Sequence, residues 1–149
     1  MNNMVIIRPL QDTDDAEWLR LRCALWLDFK VDDLKQEMAA IRLDLNQEPV
    51  FVAERPDGSL CGLVEVSIHR TAPGCKTDRI GYLEAWYVDP DWRGQGVGRR
   101  LVEAAEAWAR SVGCREMASD TDPGYPISPQ AHAALGYQEV ERYFRKDLA

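Results

Sequence analysis

Residues 89–101 read D-P-D-W-R-G-Q-G-V-G-R-R-L, from Asp89 to Leu101. An apolar run, Ile80 to Val88, leads into this stretch. A helical pattern leaves it, with Val97, Leu101, Ala104, Ala105, Trp108 and Val112 on one side. A plain turn needs one or two glycines, and this one has Gly94, Gly96 and Gly98 together with Arg93, Arg99 and Arg100. Successive backbone N–H groups at a helix start form an anion site, and glycine lets that backbone approach a phosphate closely. The plainer reading is a flexible turn with its arginines in solvent. Spacing removes two familiar phosphate loops. A P-loop needs a lysine followed by Ser or Thr, which is absent. The dinucleotide fingerprint G-x-G-x-x-G is not matched by G-Q-G-V-G-R-R.

The chain has 149 residues, which suits a single domain over 1–149 with one core. Its 25 acidic and 18 basic residues leave a net charge of -7. A general nucleic-acid binder needs a positive field, so that class is disfavoured, while a cationic small molecule is compatible. Cys23, Cys61, Cys75 and Cys114 form no C-x-x-C pair and only His69 and His132 accompany them, so no metal site is expected. The start M-N-N-M-V-I-I-R-P-L has no signal-peptide pattern, and no run approaches the roughly 18 apolar residues of a membrane span. A cytoplasmic protein with reduced thiols and no membrane partner is the simplest expectation.

Along the chain, V-I-I-R stopped by Pro9 reads as a strand. Two helices follow. The first carries Trp18, Leu21, Leu25 and Trp26, and the second Val31, Leu34, Met38, Ile41 and Leu45. Val50–Glu54, the turn R-P-D-G and the run S-L-C-G-L-V-E-V-S-I form a strand–turn–strand unit, and T-A-P-G-C-K-T-D-R reads as a loop. After the glycine stretch and its helix, Cys114 to Asp120 is a further strand, and T-D-P-G-Y-P is a loop. Ser128 and Pro129 open a last helix that Gly136 stops. The tail Y-Q-E-V-E-R-Y-F-R-K reads as one or two strands. The order β-α-α-β-β-β-α-β-α-β(-β) is a mixed α/β (α+β) layout with one βαβ crossover.

Arg93, Gly96 and Gly98 spell R-x-x-G-x-G. This motif, in V-D-P-D-W-R-G-Q-G-V-G-R-R-L, resembles the coenzyme A pyrophosphate loop of the GNAT acyltransferases, and the element order resembles that fold along the whole chain. The resemblance implies an acetyl-CoA co-substrate. It implies pyrophosphate contacts from the backbone of Gly94, Gln95, Gly96, Val97, Gly98 and Arg99, beside Arg93. It also implies a pantetheine arm paired with Trp86, Tyr87 and Val88. One N–H of that segment would polarise the thioester carbonyl.

Two carboxylates stand where an amine acceptor could meet the thioester. Glu84 interrupts an apolar strand, and Asp120 ends the next strand after M-A-S. On adjacent parallel strands both can face one cleft. An alkyl ammonium, with a pKa near roughly 10, must lose a proton before it attacks, and a carboxylate is a plausible base. The plainer readings are a solvent-facing strand residue for Glu84 and a loop cap for Asp120.

C-R-E-M-A-S-D-T, with I-S, H-x-A-L-G-Y, L-R-C-A-L-W, Y-L-E-A-W-Y-V and E-V-E-R, is similar to the aminoglycoside 6'-N-acetyltransferases of the AAC(6')-I type. That resemblance implies a catalytic base at Asp120, an amine-binding carboxylate at Glu84, and acceptor contacts from Trp26 and Glu141. It also implies a homodimer. Trp26 could equally belong to the core, and Glu141 could be an ordinary exposed residue. Tyr125 falls where the superfamily often has a cofactor-binding asparagine. His132 falls where it often has a tyrosine acid, and Tyr143 is an alternative donor. Thr71 replaces a frequent aromatic, and L-D-F-K-V-D-D follows Trp26 where an acidic or histidine-bearing segment is usual. A second reading is a GNAT enzyme acting on a polyamine or protein amine. A third is a non-catalytic acyl-CoA-binding domain, which retention of both Glu84 and Asp120 disfavours.

Overall fold

The computed structural model describes residues 4–122 and 124–148. The first three residues of the amino-terminal stretch, one residue of the 121–126 loop and the last residue of the chain therefore lie outside the described residues. The elements run β1 (Ile6–Pro9), α1 (Asp15–Leu25), α2 (Val31–Arg42), β2 (Val50–Glu54), β3 (Leu60–His69), β4 (Ile80–Val88), α3 (Val97–Ser111), β5 (Glu116–Ser119) and α4 (Ser128–Ala134). They form one five-stranded sheet in the order β1-β2-β3-β4-β5. Pairing is antiparallel from β1 to β4, and β5 joins β4 in parallel through the α3 crossover. Helix, strand and crossover thus follow the order read from the sequence.

Period-two alternation of apolar side chains gives the sheet two buried faces. On one, Val64, Val66 and Leu83 pack against Val97, Leu101, Val102 and Ala105 of α3. On the other, Val50, Val52, Leu63 and Ala85 pack against Trp18 and Leu21 of α1 and Met38 of α2. Gly81 is needed at the first face, because a Cβ there would come within 2.9 Å of the Ala109 methyl and 2.5 Å of Met117 Sδ. Beneath the second face lies an ion pair. Arg22 and Glu65 are 2% and 3% exposed. Arg22 donates to both Glu65 oxygens at 2.7 and 2.9 Å, and Trp18 Nε1 donates to the same carboxylate at 2.8 Å.

The terminal strand is the one expected element that does not form. Residues 137–148 make no strand pairing among the described residues. A strand needs an edge to bond to. This tail instead lays Val140 over Gly74, whose α-carbon a Cβ could not share with it. Its apolar side chains Val140, Tyr143, Phe144 and Leu148 stay exposed.

Candidate active site

Strand β4 carries the site because its register slips. Glu65 of β3 faces Ala85 and Val66 faces Leu83, so Glu84 is an extra residue with no partner across the ladder. Such a bulge places two successive side chains on one face. Glu84 and Ala85 accordingly both point to the α1/α2 side, while Leu83 and Trp86 point to the α3 side. On its other edge β4 pairs with β5 only from Ile80 to Leu83, opposite Glu116 to Ser119. From Glu84 to Val88 that edge has no strand beside it. The two strands therefore part just where Asp120 leaves β5.

Tyr82 joins the carboxylates at this fork. Its hydroxyl donates to Asp120 Oδ2. Burial, then the hydrogen bond to Asp120, then the charges of Asp120 and Glu84 hold the phenol well above its ordinary range, so it stays a donor. Glu84 Oε2 accepts from Ser67 Oγ at 2.5 Å and lies 2.6 Å from His69 Nε2. His69 stacks on the Tyr82 ring at 4.1 Å between centroids, 11° from parallel. An open cleft of about 490 Å³ lies along this wall, bordered by Asp44, Gln47, Glu48, Ser67, His69 and Glu84.

The glycine loop opens α3. Gly94 and Gly96 have φ of 74° and 84°, in the left-handed region that favours glycine. Nothing lies within 4 Å of a Cβ built on either, so conformation alone calls for glycine there. Among the described residues, no acceptor takes the backbone N–H groups of Gly94, Gln95, Gly96, Val97, Gly98 or Arg99. They form a nest of N–H groups at the helix start. Gly98 has a different purpose: a Cβ there would meet the Trp86 ring at 3.3 Å, and Trp86 Nε1 donates to Gly98 O at 3.1 Å. Asp89 fixes the start of the loop. It is buried and receives Arg20 at 2.9 Å and Arg55 at 2.9 Å.

The three arginines are not idle in solvent. Arg93 Nε donates to Val88 O at 2.7 Å, and its guanidinium lies 5.4 Å over the Tyr87 ring. Arg99 donates to Ala134 O at 3.2 Å and Arg100 to Val5 O at 3.0 Å. They fasten the loop to β4, to α4 and to Val5, just before β1. His132 sits edge-on to Trp86 at 5.2 Å and meets Ser119 Oγ at 2.8 Å, which joins α4 to both strands of the fork.

Trp26 is half-buried on the α1/α2 side, with the Arg22 guanidinium 4.8 Å over its ring and Phe29 stacked at 5.7 Å. The Tyr125 hydroxyl donates to Leu25 O at 2.5 Å. It ties the segment after Asp120 to the end of α1, beside Trp26. Glu141 is exposed, and it accepts from the Tyr143 hydroxyl, which raises that phenol's pKa. Asp120 thus meets the Tyr82 hydroxyl, Glu84 lies near enough for its charge to act on that phenol, and Glu141 pairs with Tyr143 instead. Ser67, His69, Tyr82 and Arg22 were not singled out from sequence. The polar alternations S-I-H in β3 and Y-L-E in β4 were the available signal for the first three.

A family model described as the acetyltransferase (GNAT) family matches residues 17–137. The chain belongs to the GNAT acetyltransferase family. The chain is 43% identical to an aminoglycoside N(6')-acetyltransferase type 1 of Klebsiella aerogenes, covering 99% of this chain and 100% of that protein. A namesake from Stenotrophomonas maltophilia is 41% identical, over 95% and 93% of the two chains. Among solved structures, AAC(6')-Iy in complex with the bisubstrate analog CoA-S-monomethyl-acetylneamine superposes with a TM-score of 0.85 at 35% identity, over 96% and 98% of the chains. AAC(6')-Ih from Acinetobacter baumannii gives a TM-score of 0.85 at 32% identity, over 97% and 99%. The GNAT fold expected from the glycine motif is therefore the fold of this chain.

Proposed function

We propose that the chain is an acetyl-CoA-dependent aminoglycoside 6'-N-acetyltransferase acting as one domain over 1–149. The observation that carries this reading is the fork itself. An N–H nest at α3, a free edge of β4, the Tyr82–Asp120 pair and the Glu84 carboxylate flank this opening. The names of its relatives, over nearly the full chain, supply the acceptor class. The nest takes the pyrophosphate of the co-substrate, and the edge from Trp86 to Val88 takes its pantetheine arm. Trp86 and His132, packed together, wall the α4 side of that channel. Tyr125 contributes by holding the 121–127 segment to α1 rather than by touching the co-substrate.

In this reading Glu84 holds the ammonium of the acceptor, and Asp120 removes its proton, directly or through a water. The amine nitrogen then attacks the thioester carbonyl carbon. A C–N bond forms, the C–S bond breaks, and coenzyme A leaves as a thiolate that takes up a proton. Trp26 supplies an apolar platform and Glu141 an outer carboxylate for the acceptor. Acetylation removes one positive charge from a drug that binds RNA largely through charge, which is a route to resistance.

The exposed apolar residues of the 137–148 tail and the free edge of β5 support a homodimer in which this tail finds its partner strand. Four unpaired cysteines, two of them buried, support a reducing, cytoplasmic setting. No helix among the described residues is long and apolar enough to cross a membrane.

A thiol-release assay with acetyl-CoA tests the reading. Kanamycin, tobramycin and amikacin are compared with a gentamicin whose 6'-amine is blocked, with spermidine and with a lysine peptide. Turnover of the free 6'-amino drugs and none of the blocked one is the expected result. Turnover of spermidine or peptide alone would overturn the drug assignment.

A further inference from the structure

Glu84 has two oxygens with different surroundings. Oε2 is occupied twice, by Ser67 Oγ at 2.5 Å and His69 Nε2 at 2.6 Å. Among the described residues Oε1 accepts nothing, and the carboxylate is 41% exposed on the cleft wall. His69 does more than bond to Glu84. Its ring lies flat on Tyr82 at 4.1 Å, and the Tyr82 hydroxyl holds Asp120. One imidazole thus touches the supports of both carboxylates at the fork.

We propose that His69 is a positioning and specificity-determining residue for the acceptor: it turns the free oxygen of Glu84 toward the incoming ammonium and braces the Tyr82–Asp120 pair. This rests on the acetyltransferase reading above and adds a residue to it. The bond to a carboxylate oxygen requires Nε2 to donate, which both the neutral Nε2–H tautomer and the imidazolium satisfy. The two forms differ in charge. The imidazolium cancels the charge of Glu84 and weakens its hold on a cation, whereas the neutral ring leaves that charge whole. The groups facing the imidazole are Glu84 and Tyr82 from β4 and Ser67 from its own strand. Asp44, Gln47 and Glu48 face it across the cleft, and Asp120 is reached through Tyr82.

Two substitutions separate the bond from the bulk. His69→Phe keeps a ring on Tyr82 and loses the donor. His69→Gln keeps an uncharged donor. Kinetics are measured with kanamycin as acceptor. His69→Phe is expected to raise the acceptor KM about tenfold, the worth of a hydrogen bond to a charged group, with the acetyl-CoA KM unchanged. His69→Gln is expected to restore the acceptor KM. An unchanged KM in His69→Phe, or a His69→Gln enzyme as poor as His69→Phe, would overturn the proposal. Should the wild-type protein acetylate spermidine and none of the drugs, the drug assignment falls by itself. The same KM comparisons on spermidine then decide the role of His69.

Discussion

The Tyr82 hydroxyl donates to the Asp120 carboxylate at the point where β4 and β5 cease to pair. That bond fixes the direction in which the carboxylate points. Tyr82→Phe removes the donor and frees the carboxylate to turn. It should lower kcat about tenfold at neutral pH. The acetyl-CoA KM should not change. An unchanged kcat would mean that Tyr82 does not position Asp120 for the reaction.

Gly96 holds φ at 84° with open space around its α-carbon. Gly96→Ala therefore meets no clash, but it places an alanine in a left-handed conformation at a cost of roughly 1–2 kcal/mol. Its methyl also intrudes on the N–H nest. Calorimetric titration with coenzyme A should show a weakened affinity alongside a Tm lowered by a few degrees. A Tm loss with unchanged affinity would move the pyrophosphate away from this loop.

Arg22 and Glu65 are an ion pair with almost no water, completed by Trp18, Leu34 O and Glu37. Removing one member strands the other charge, at about 3–5 kcal/mol. Glu65→Leu should lower Tm by roughly 10 °C. Because Arg22 also lies over the Trp26 ring, acceptor KM should rise in the same variant. Replacing both residues with apolar ones should recover much of the Tm and not the acceptor KM.

Acid should unfold the chain through two aspartates. Asp14 lies below the usual carboxylate range because Arg8 hydrogen-bonds to it. At Asp89 burial works against ionisation, but the hydrogen bond and charge of Arg20, with Arg55, outweigh it. Both folded pKa values are thus depressed. Their stabilisation is complete above the unfolded value near roughly 4 and is lost as pH falls through the lower folded values. Tm should be level at neutral pH and fall steeply below about pH 4, and Asp89→Asn should reduce that acid slope. An unchanged slope in the variant would remove Asp89 from the account.

The glycine motif was legible because its chemistry is local. A strand, three glycines and a helix are contiguous, and the backbone they dictate is the one observed from Val88 to Arg99. The carboxylates were visible as charges interrupting apolar strands. What sequence could not supply was register. The bulge that turns Glu84 onto the same face as Ala85 depends on β3, about twenty residues earlier, and on how many residues each strand spends between shared rungs. The same holds for His69, which becomes relevant only once β3 lies against β4. The bond from the Tyr125 hydroxyl to Leu25 O is likewise a contact across the chain that no local pattern encodes. The tail Tyr137 to Lys146 has strand-like composition, but a strand is a property of two segments, and among the described residues the tail pairs with none.

The most direct test of the account is Asp120→Asn, with kcat for a 6'-amino drug measured beside the Kd for acetyl-CoA. The amide keeps the shape and the contact to Tyr82 but cannot take a proton from the acceptor. A loss of about a hundredfold or more in kcat, with the Kd within about twofold of wild type, is the predicted result. Turnover near the wild-type rate would contradict the assignment of Asp120 as the base, and equal losses in kcat and co-substrate affinity would make it a structural residue of the fork.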